Sequence, residues 1–176
     1  MINKKFKILL IEDNPVDAQL IKIELGKILT AHEAVVVSKM IEVEEAIPFL
    51  KPDIILSDYN LNSFNGMDVL NLVNQLPYEI PLIFVTGTIN DEEVAANTIL
   101  NGASGYVLKN NITHLHERLL PHFEKLITFR TLENIKLKLD SLVVDIEAYL
   151  ADSDLDTTHE AKELSEIKQF LDRYRV

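Results

Sequence analysis

Acidic side chains follow two apolar segments of the sequence, where they could bind a metal ion or act as a nucleophile. Glu12 and Asp13 come directly after an apolar run that ends at Ile11, and Asp58 follows another that ends at Ser57. Three carboxylates brought together repel one another unless a cation intervenes. Oxygen ligands with no His or Cys beside them favour magnesium. These residues therefore predict a Mg²⁺ site, with Asp58 as the candidate nucleophile.

Two more polar residues end later apolar segments. Thr86 follows the run that ends at Val85, and Lys109 follows the run that ends at Leu108. Phosphoryl transfer asks a protein chiefly for alignment and charge neutralisation, which a metal ion and the Lys109 ammonium could supply. Taken singly, each of these residues is more often a turn or cap residue. The acidic pair could be part of a polar loop, or Asp13 or Asn14 could cap a helix that begins at Pro15. The prediction therefore depends on their conjunction.

The segments that carry these residues predict an α/β fold. Stretches with helical periodicity separate five short runs rich in Ile, Val and Leu, which are Phe6–Ile11, Ala34–Val37, Asp53–Ser57, Ile80–Val85 and Gly105–Leu108. Nearly continuous apolar strands joined by helical crossovers predict a doubly wound, five-stranded parallel sheet. Ligands bind such sheets at the carboxyl ends of the strands. The predicted fold therefore brings the polar residues to one edge.

The C-terminal part has a different pattern. From Leu132 to Tyr149, apolar residues recur at three- and four-residue spacing, which predicts a long amphipathic helix. Asp152 to Asp154 interrupts the pattern, and Thr157 to Glu160 has the form of a capping box that opens another helix. We expect a first domain over residues 1–128 and a helical extension, a hairpin, over residues 129–176. Its apolar stripes could pack on each other, on the first domain or on a second copy. Pro121 should kink the preceding helix or start it afresh.

Composition excludes several classes of function. The absence of Cys rules out disulfides, thiolate nucleophiles and thiolate zinc sites. Lys plus Arg number 17 against 28 Asp plus Glu, so the formal charge is 17 − 28 = −11, which disfavours nucleic acid as a partner. No apolar run is long enough to span a membrane and no signal peptide opens the chain. We expect a cytoplasmic protein with protein partners.

Together the motifs resemble the receiver domain of two-component response regulators, which has a CheY-like fold. The resemblance covers residues 5 to about 125 and is carried by Ile8–Asn14, Ile54–Tyr59, Asn65 with Gly66, Phe84–Gly87 and Gly102–Lys109. It implies that Asp58 is the phosphoacceptor. It also implies a Mg²⁺ ion held directly by Asp13 and Asp58, through water by Glu12, and by the backbone carbonyl of Asn60.

The resemblance further implies a switch. The Thr86 hydroxyl would follow the phosphoryl group, Tyr106 would swing inward with it, and Lys109 would contact the phosphoryl oxygens. A sensor histidine kinase or a phosphotransfer protein would supply the phosphoryl group, and a downstream protein target would receive the signal. No DNA-binding output domain is expected, and no enzymatic activity beyond self-catalysed phosphotransfer and dephosphorylation. The C-terminal helices could form a homodimer.

Two alternatives stay open. One is a receiver-like scaffold that never takes phosphate. The other is an aspartate-nucleophile phosphohydrolase, which is less favoured because Asn60 replaces the second acid of its Asp-x-Asp motif. The sequence also departs from the family at two positions. Asn110 follows Lys109 where proline is usual, commonly with a cis bond that fixes the approach of the lysine, so this constraint is missing here. Asn62 also replaces a common proline, so its loop is expected to be more mobile.

Overall fold

The computed structural model describes residues 1–87, 92–110, 112–151 and 159–172. The chain forms two compact units, Met1–His122 and Phe123–Val176. The first unit contains a five-stranded parallel sheet in the order β2-β1-β3-β4-β5. Helices flank this sheet, so the predicted doubly wound α/β class is confirmed.

Strands and helices alternate along the first unit. The strands are β1 (Ile2–Ile11), β2 (Leu29–Val37), β3 (Ile54–Ser57), β4 (Leu82–Thr86) and β5 (Gly105–Leu108). The helices are α1 (Pro15–Ile28), α2 (Met40–Leu50), α3 (Gly66–Asn74) and α4 (Glu92–Leu100), and a 3₁₀ turn (Ile112–His114) precedes α5 (Leu115–Ala151).

The first two strands begin earlier than predicted. Strand β1 starts at Ile2 and pairs there with Leu29, although this part of β1 alternates between exposed and half-buried positions. An uninterrupted apolar run is the signature of a strand that is buried on both faces, and the amino-terminal half of β1 is not buried in that way. Backbone pairing with β2 extends the strand where its side chains carry no apolar run.

The core lies on both faces of the sheet. All of β3 and β4 is buried, and so is the end of β1. On one face, apolar side chains of α2 and α3 pack against the sheet as a cluster that includes Leu9, Ile11, Val43, Ile47, Ile55, Val69, Val73, Leu82 and Phe84. Continuous burial explains why these strands have no polar alternation before their last residues.

A buried acid ties α1 to the start of α5. Glu24 is only 3% exposed, its carboxylate lies 2.5 Å from Lys27 Nζ, and its other oxygen lies 2.5 Å from His116 Nδ1. Burial alone would raise the pKa of Glu24, but the hydrogen bonds with Lys27 and His116 outweigh it, and the pKa lies below its ordinary value. Lys27 also donates to the carbonyl of Thr113 at 3.1 Å, so this cluster fixes the 3₁₀ turn as well.

The second unit is helical. Helix α5 begins at Leu115, within the first unit, and runs to Ala151, and α6 (His159–Asp172) follows it. Lys168 of α6 pairs with Glu147 of α5 at 3.2 Å. The predicted interruption at residues 152–154 and the first two residues of the predicted capping box, 157 and 158, lie outside the described residues.

Pro121 does not start α5 afresh, so that alternative is wrong. The helix begins at Leu115, ahead of the proline, and continues through it. A proline inside a helix removes one backbone hydrogen bond and crowds the carbonyl four residues earlier, so the kink at Pro121 stays a prediction. In the described ranges, no helix combines the length and the apolar composition needed to cross a membrane.

Candidate functional site

The carboxyl ends of the central strands bring the predicted site residues side by side. Ile11 pairs with Ser57 at the ends of β1 and β3, and the next amide, that of Asp58, donates to the Ile11 carbonyl at 2.9 Å. At the ends of the neighbouring pair β4 and β5, the Lys109 amide donates to the Thr86 carbonyl at 2.7 Å. Each pair of strands is therefore followed by one more backbone hydrogen bond, and these two bonds fix the backbone positions of Asp58 and Lys109.

The Lys109 ammonium joins three carboxylates. Its Nζ lies 2.5 Å from Glu12 Oε2, 2.7 Å from Asp58 Oδ2 and 3.0 Å from Asp17 Oδ2. The Lys109 side chain is 8% exposed, and Glu12 and Asp58 are also buried. Because these charges are mostly removed from water, their mutual attraction is stronger than that of a surface ion pair. The ammonium therefore holds the acids of β1 and β3 together.

Burial and the ion pairing together shift the pKa values of Lys109 and Glu12. Burial alone would lower the pKa of Lys109, but hydrogen bonds to Asp58 and Glu12 outweigh it and raise the pKa well above the ordinary lysine value. Burial raises the pKa of Glu12, and the nearby Lys109 offsets only part of that rise. Lysine at position 109 is therefore a permanent cation at neutral pH.

Asp13 is held by the loop after β3. The Asn62 amide donates to Asp13 Oδ2 at 2.7 Å, and the Asn14 amide donates to Glu12 Oε1 at 3.1 Å. A proline at position 62 would have no N–H to donate. The departure from the family at Asn62 thus supplies a hydrogen bond that orients an acid of the site.

The loop that carries Asp58 is closed by short-range contacts. The Asn60 amide donates to Asp58 Oδ1 at 3.2 Å, and Asn60 forms an isolated bridge with Asn65. The Gly66 amide donates to the Tyr59 carbonyl at 2.8 Å. A Cβ at Gly66 would lie 2.4 Å from Phe84 Cε1, so only glycine fits at this point.

Helix α1 supplies a residue that sequence reasoning missed. The Asn14 side chain accepts hydrogen bonds from the amides of Val16 and Asp17, and it thereby caps α1 as the alternative interpretation of this loop proposed. The cap places Asp17 in the first helical turn, where its carboxylate reaches Lys109. Nothing in the spacing of the apolar runs indicates this contact, because it depends on how α1 is rotated against the sheet.

Thr86 and Tyr106 lie on adjacent strands. Thr86 is fully buried at the end of β4, and Tyr106 is half-buried in β5, where it packs against the core. Tyr106 also lines an open cavity of about 430 Å³ together with Arg118 and His122 of α5. The inward movement of Tyr106 stays a prediction.

The donor atoms are oxygens, which is the type of ligand that hard divalent cations bind. Glu12 and Asp58 already share one cationic nitrogen, and Asp13 is the residue next to Glu12. All three offer only oxygen ligands, which Mg²⁺ prefers. As the side chains stand in the described part of the chain, no group of three Asp, Glu or His converges to hold a metal ion. Lys109 occupies two of the carboxylates, so an incoming cation would compete with it.

Known proteins share this fold. A family model described as the response regulator receiver domain matches residues 8–120. The phosphorylated cyanobacterial phytochrome response regulator RcpA is 26% identical, with a TM-score of 0.60, over 72% of this chain and 96% of RcpA.

Two further structures are similar. The BeF3-activated N-terminal receiver domain of RstA from Klebsiella pneumoniae is 30% identical, with a TM-score of 0.53, over 58% of this chain and 85% of that domain. The Mn²⁺-bound form of response regulator Rcp1 is 22% identical, with a TM-score of 0.56, over 65% of this chain and 91% of its own, a likeness that shows the fold alone.

Proposed function

Because this chain belongs to the response regulator receiver domain family, we propose that it is a phosphorylation-driven switch that accepts a phosphoryl group on Asp58. The observation that supports this most strongly is the Lys109 ammonium, which lies 2.7 Å from Asp58 Oδ2 and 2.5 Å from Glu12 Oε2. An acid at the end of a buried strand is thereby paired with a fixed cation. That combination suits the transfer of a negatively charged group.

Asp58 is the nucleophile in this proposal. One carboxylate oxygen attacks phosphorus, the bond from phosphorus to the leaving group breaks, and an acyl phosphate forms on the side chain. Lys109 lies near enough to Asp58 to follow the transferring oxygens and neutralise part of their charge. Thr86 is the last residue of the neighbouring strand β4, and its hydroxyl would donate a hydrogen bond to the acyl phosphate on Asp58.

Mg²⁺ would be held by Glu12, Asp13 and Asp58 with the backbone carbonyl of Asn60. When bound, it would neutralise charge on the acids and on the phosphoryl oxygens. Two of its ligands are already oriented by backbone amides: the Asn62 amide binds Asp13, and the Asn14 amide binds Glu12.

The signalling partners follow from this chemistry. A sensor histidine kinase or a phosphotransfer protein would donate the phosphoryl group, and the phosphorylated form would contact a downstream protein. The switch needs two states, and only the phosphorylated one has contacts of Thr86 and Lys109 with the phosphoryl oxygens. Apart from its own phosphotransfer and dephosphorylation, the chain would catalyse nothing.

Two alternatives are less well supported. A phosphohydrolase needs a general acid near the nucleophile, and Asn60 carries an amide side chain in place of that acid, while its backbone amide donates to Asp58 at 3.2 Å. A scaffold that takes no phosphate would be favoured if Lys109 pointed away from Asp58. The observed contact between the two side chains argues against that.

The proposal is tested by incubating the chain with acetyl phosphate and measuring intact mass. We expect a gain of one phosphoryl unit that requires Mg²⁺ and is lost in Asp58→Asn, while the control Glu44→Gln, an exposed acid on α2, still reacts. Rapid release of inorganic phosphate over many turnovers, with no stable adduct on Asp58, would support the hydrolase. A mass that never increases would support the scaffold.

The exposed stripe of α5 also suggests a partner. Leu132, Ile135, Leu139 and Leu142 are exposed and occupy successive a and d positions of a heptad pattern. We propose that a second copy of the chain covers this stripe, which makes the protein a homodimer.

Charge selects the antiparallel orientation for this dimer. Lys138 and Asp145 both occupy g positions that flank the stripe, one near its middle and one near its end, and both are exposed. In an antiparallel pair, g positions face each other, so Lys138 of each copy meets Asp145 of the other. A parallel pair would instead place Lys138 opposite Val143, which is buried.

Light scattering coupled to size exclusion tests the dimer. We expect Leu139→Glu to give monomers, and Leu137→Glu, which changes an exposed leucine off the stripe, to leave the dimer intact. Lys138→Asp should weaken the dimer, and adding Asp145→Lys should restore it. A wild-type monomer, or equal effects of the two leucine variants, would remove the proposal.

A further inference from the structure

Arg118 of α5 clamps the backbone on both sides of Lys109. Its Nη1 donates to the Leu108 carbonyl at 2.7 Å and to the Asn110 carbonyl at 3.1 Å. The same nitrogen also donates to the Asn110 side-chain oxygen. One guanidinium from a helix therefore grips the residue before Lys109 and the residue after it.

The sheet holds the residue between these two carbonyls. The Lys109 amide donates to the Thr86 carbonyl at 2.7 Å, which is the last bond of the ladder between β4 and β5. Strand β4 thus fixes the amide of Lys109, and α5 fixes the carbonyls on either side. The backbone at position 109 is restrained from two directions, and its side chain leaves toward Glu12 and Asp58.

Position 110 explains why such a clamp matters. Asn110 has no ring to fix its φ angle, and the described residues contain no cis peptide bond. A lysine side chain has four rotatable bonds, so its ammonium reaches a defined point only if its backbone is fixed. The acceptor that Asn110 adds through its side chain is one that most other residues at this position would lack.

We propose that Arg118 is a positioning residue for Lys109. By binding the backbone carbonyls of Leu108 and Asn110, it holds the Lys109 backbone where the ammonium can reach Asp58. This rests on the proposed phosphoacceptor function of Asp58. Arg118 is exposed and lines the open cavity beside Tyr106, so its removal leaves no buried void and water can satisfy the two carbonyls. Its effect is therefore on geometry more than on folding.

A double-mutant cycle tests the proposal. The initial rate of phosphorylation by acetyl phosphate is measured for wild type, Arg118→Ala, Lys109→Ala and the double variant. We expect Arg118→Ala to slow the reaction about tenfold, which is less than the roughly 100-fold that a full 1 Å misplacement of a reacting group can cost. In the Lys109→Ala background it should change the rate by less than about twofold, because the residue it positions is gone.

Control variants separate geometry from folding. Lys125→Ala removes a basic residue two turns further along α5 and should react like wild type. Arg118→Lys keeps one donor nitrogen but lacks the planar guanidinium that holds this nitrogen in place, so its rate should fall between those of wild type and Arg118→Ala. Melting curves check that each variant is folded at the assay temperature, and Asn110→Ala replaces Arg118→Ala in the cycle if the latter does not fold.

A second readout does not depend on phosphorylation. Nitrogen-edited NMR of lysine ammonium groups should show a slowly exchanging Lys109 signal in the wild type, since its ammonium is buried and bonded to three carboxylates. Arg118→Ala should lose or broaden that signal, and Lys125→Ala should keep it.

The two readouts distinguish the failures. If wild type takes no phosphate but its Lys109 signal depends on Arg118, the proposed function fails and the positioning role stands. A Lys109 signal that is unchanged in Arg118→Ala would overturn the positioning role. So would an equal slowing by Arg118→Ala with and without Lys109.

Discussion

Asp17 is the residue that should decide how easily Mg²⁺ enters the site. Lys109 pairs with Glu12 and Asp58, which are also the proposed metal ligands, and with Asp17, which is not one of them. When a metal takes the first two, Asp17 still offers the ammonium a partner. Substituting Asp17→Asn removes that partner and one negative charge near the metal. Both effects weaken Mg²⁺ binding.

The size of the effect follows from the geometry. Asp17 Oδ2 lies 3.0 Å from Lys109 Nζ, and a hydrogen bond between charged groups contributes about 1.5 to 3 kcal/mol. The Asp17 side chain is 29% exposed, and its contact with Lys109 already exists before the metal binds. Only the part of this energy that is gained when Lys109 gives up Glu12 and Asp58, about 1 kcal/mol, therefore favours the metal-bound form. Since 1.4 kcal/mol corresponds to tenfold in affinity, we expect the Kd for Mg²⁺ to rise by about three- to tenfold.

Isothermal titration calorimetry with magnesium chloride measures this directly. The control Glu44→Gln removes one acidic charge on the exposed face of α2 and should change the Kd by less than about twofold. An Asp17→Asn variant that binds Mg²⁺ as tightly as wild type, or more tightly, would refute the competition between Lys109 and the metal.

Three further predictions concern the frame of the site. Gly66→Ala should destabilise the fold by about 1 to 3 kcal/mol, because its Cβ would clash with Phe84, whereas Gly26→Ala, with nothing within 4 Å, should stabilise α1; equal melting temperatures would contradict this. Asn62→Pro should weaken Mg²⁺ binding about threefold by removing the hydrogen bond to Asp13, and Asn62→Ala, which keeps the amide, should not; calorimetry compares the two. Glu24→Gln should cost about 2 kcal/mol at pH 7 in urea unfolding. Because the folded-state pKa of Glu24 is lowered, its contribution exists above the unfolded-state pKa of about 4.3 and is lost as pH falls through the folded value. The difference from wild type should therefore shrink below about pH 4, and a constant difference would show that the carboxylate charge is irrelevant.

The fold was largely predictable because its central strands are buried on both faces. The predicted run Gly105–Leu108 coincides with β5, and the predicted Asp53–Ser57 differs from β3 by one residue. The start of β1 was missed because its side chains form no apolar run. Only backbone pairing with β2 makes this part of the chain a strand.

The site was predictable in one respect and not in another. Parallel strands end at one edge, so residues that follow them, such as Glu12, Asp58 and Lys109, had to lie near one another, and their side chains do meet. Asp17 and Arg118 come from helices, whose rotation against the sheet depends on packing across the whole unit. Local sequence patterns do not predict that rotation. The phosphoryl and metal roles of all these residues stay predictions.

Borohydride trapping tests the central claim most directly. Reduction of an aspartyl phosphate converts that residue to homoserine, which peptide mass spectrometry can locate after treatment with acetyl phosphate. We predict homoserine at position 58, formed only with Mg²⁺ present and in smaller yield when Lys109 is replaced by Ala. Labelling at any other acid, or none at all in a folded chain, would contradict the assignment of Asp58 as the phosphoacceptor.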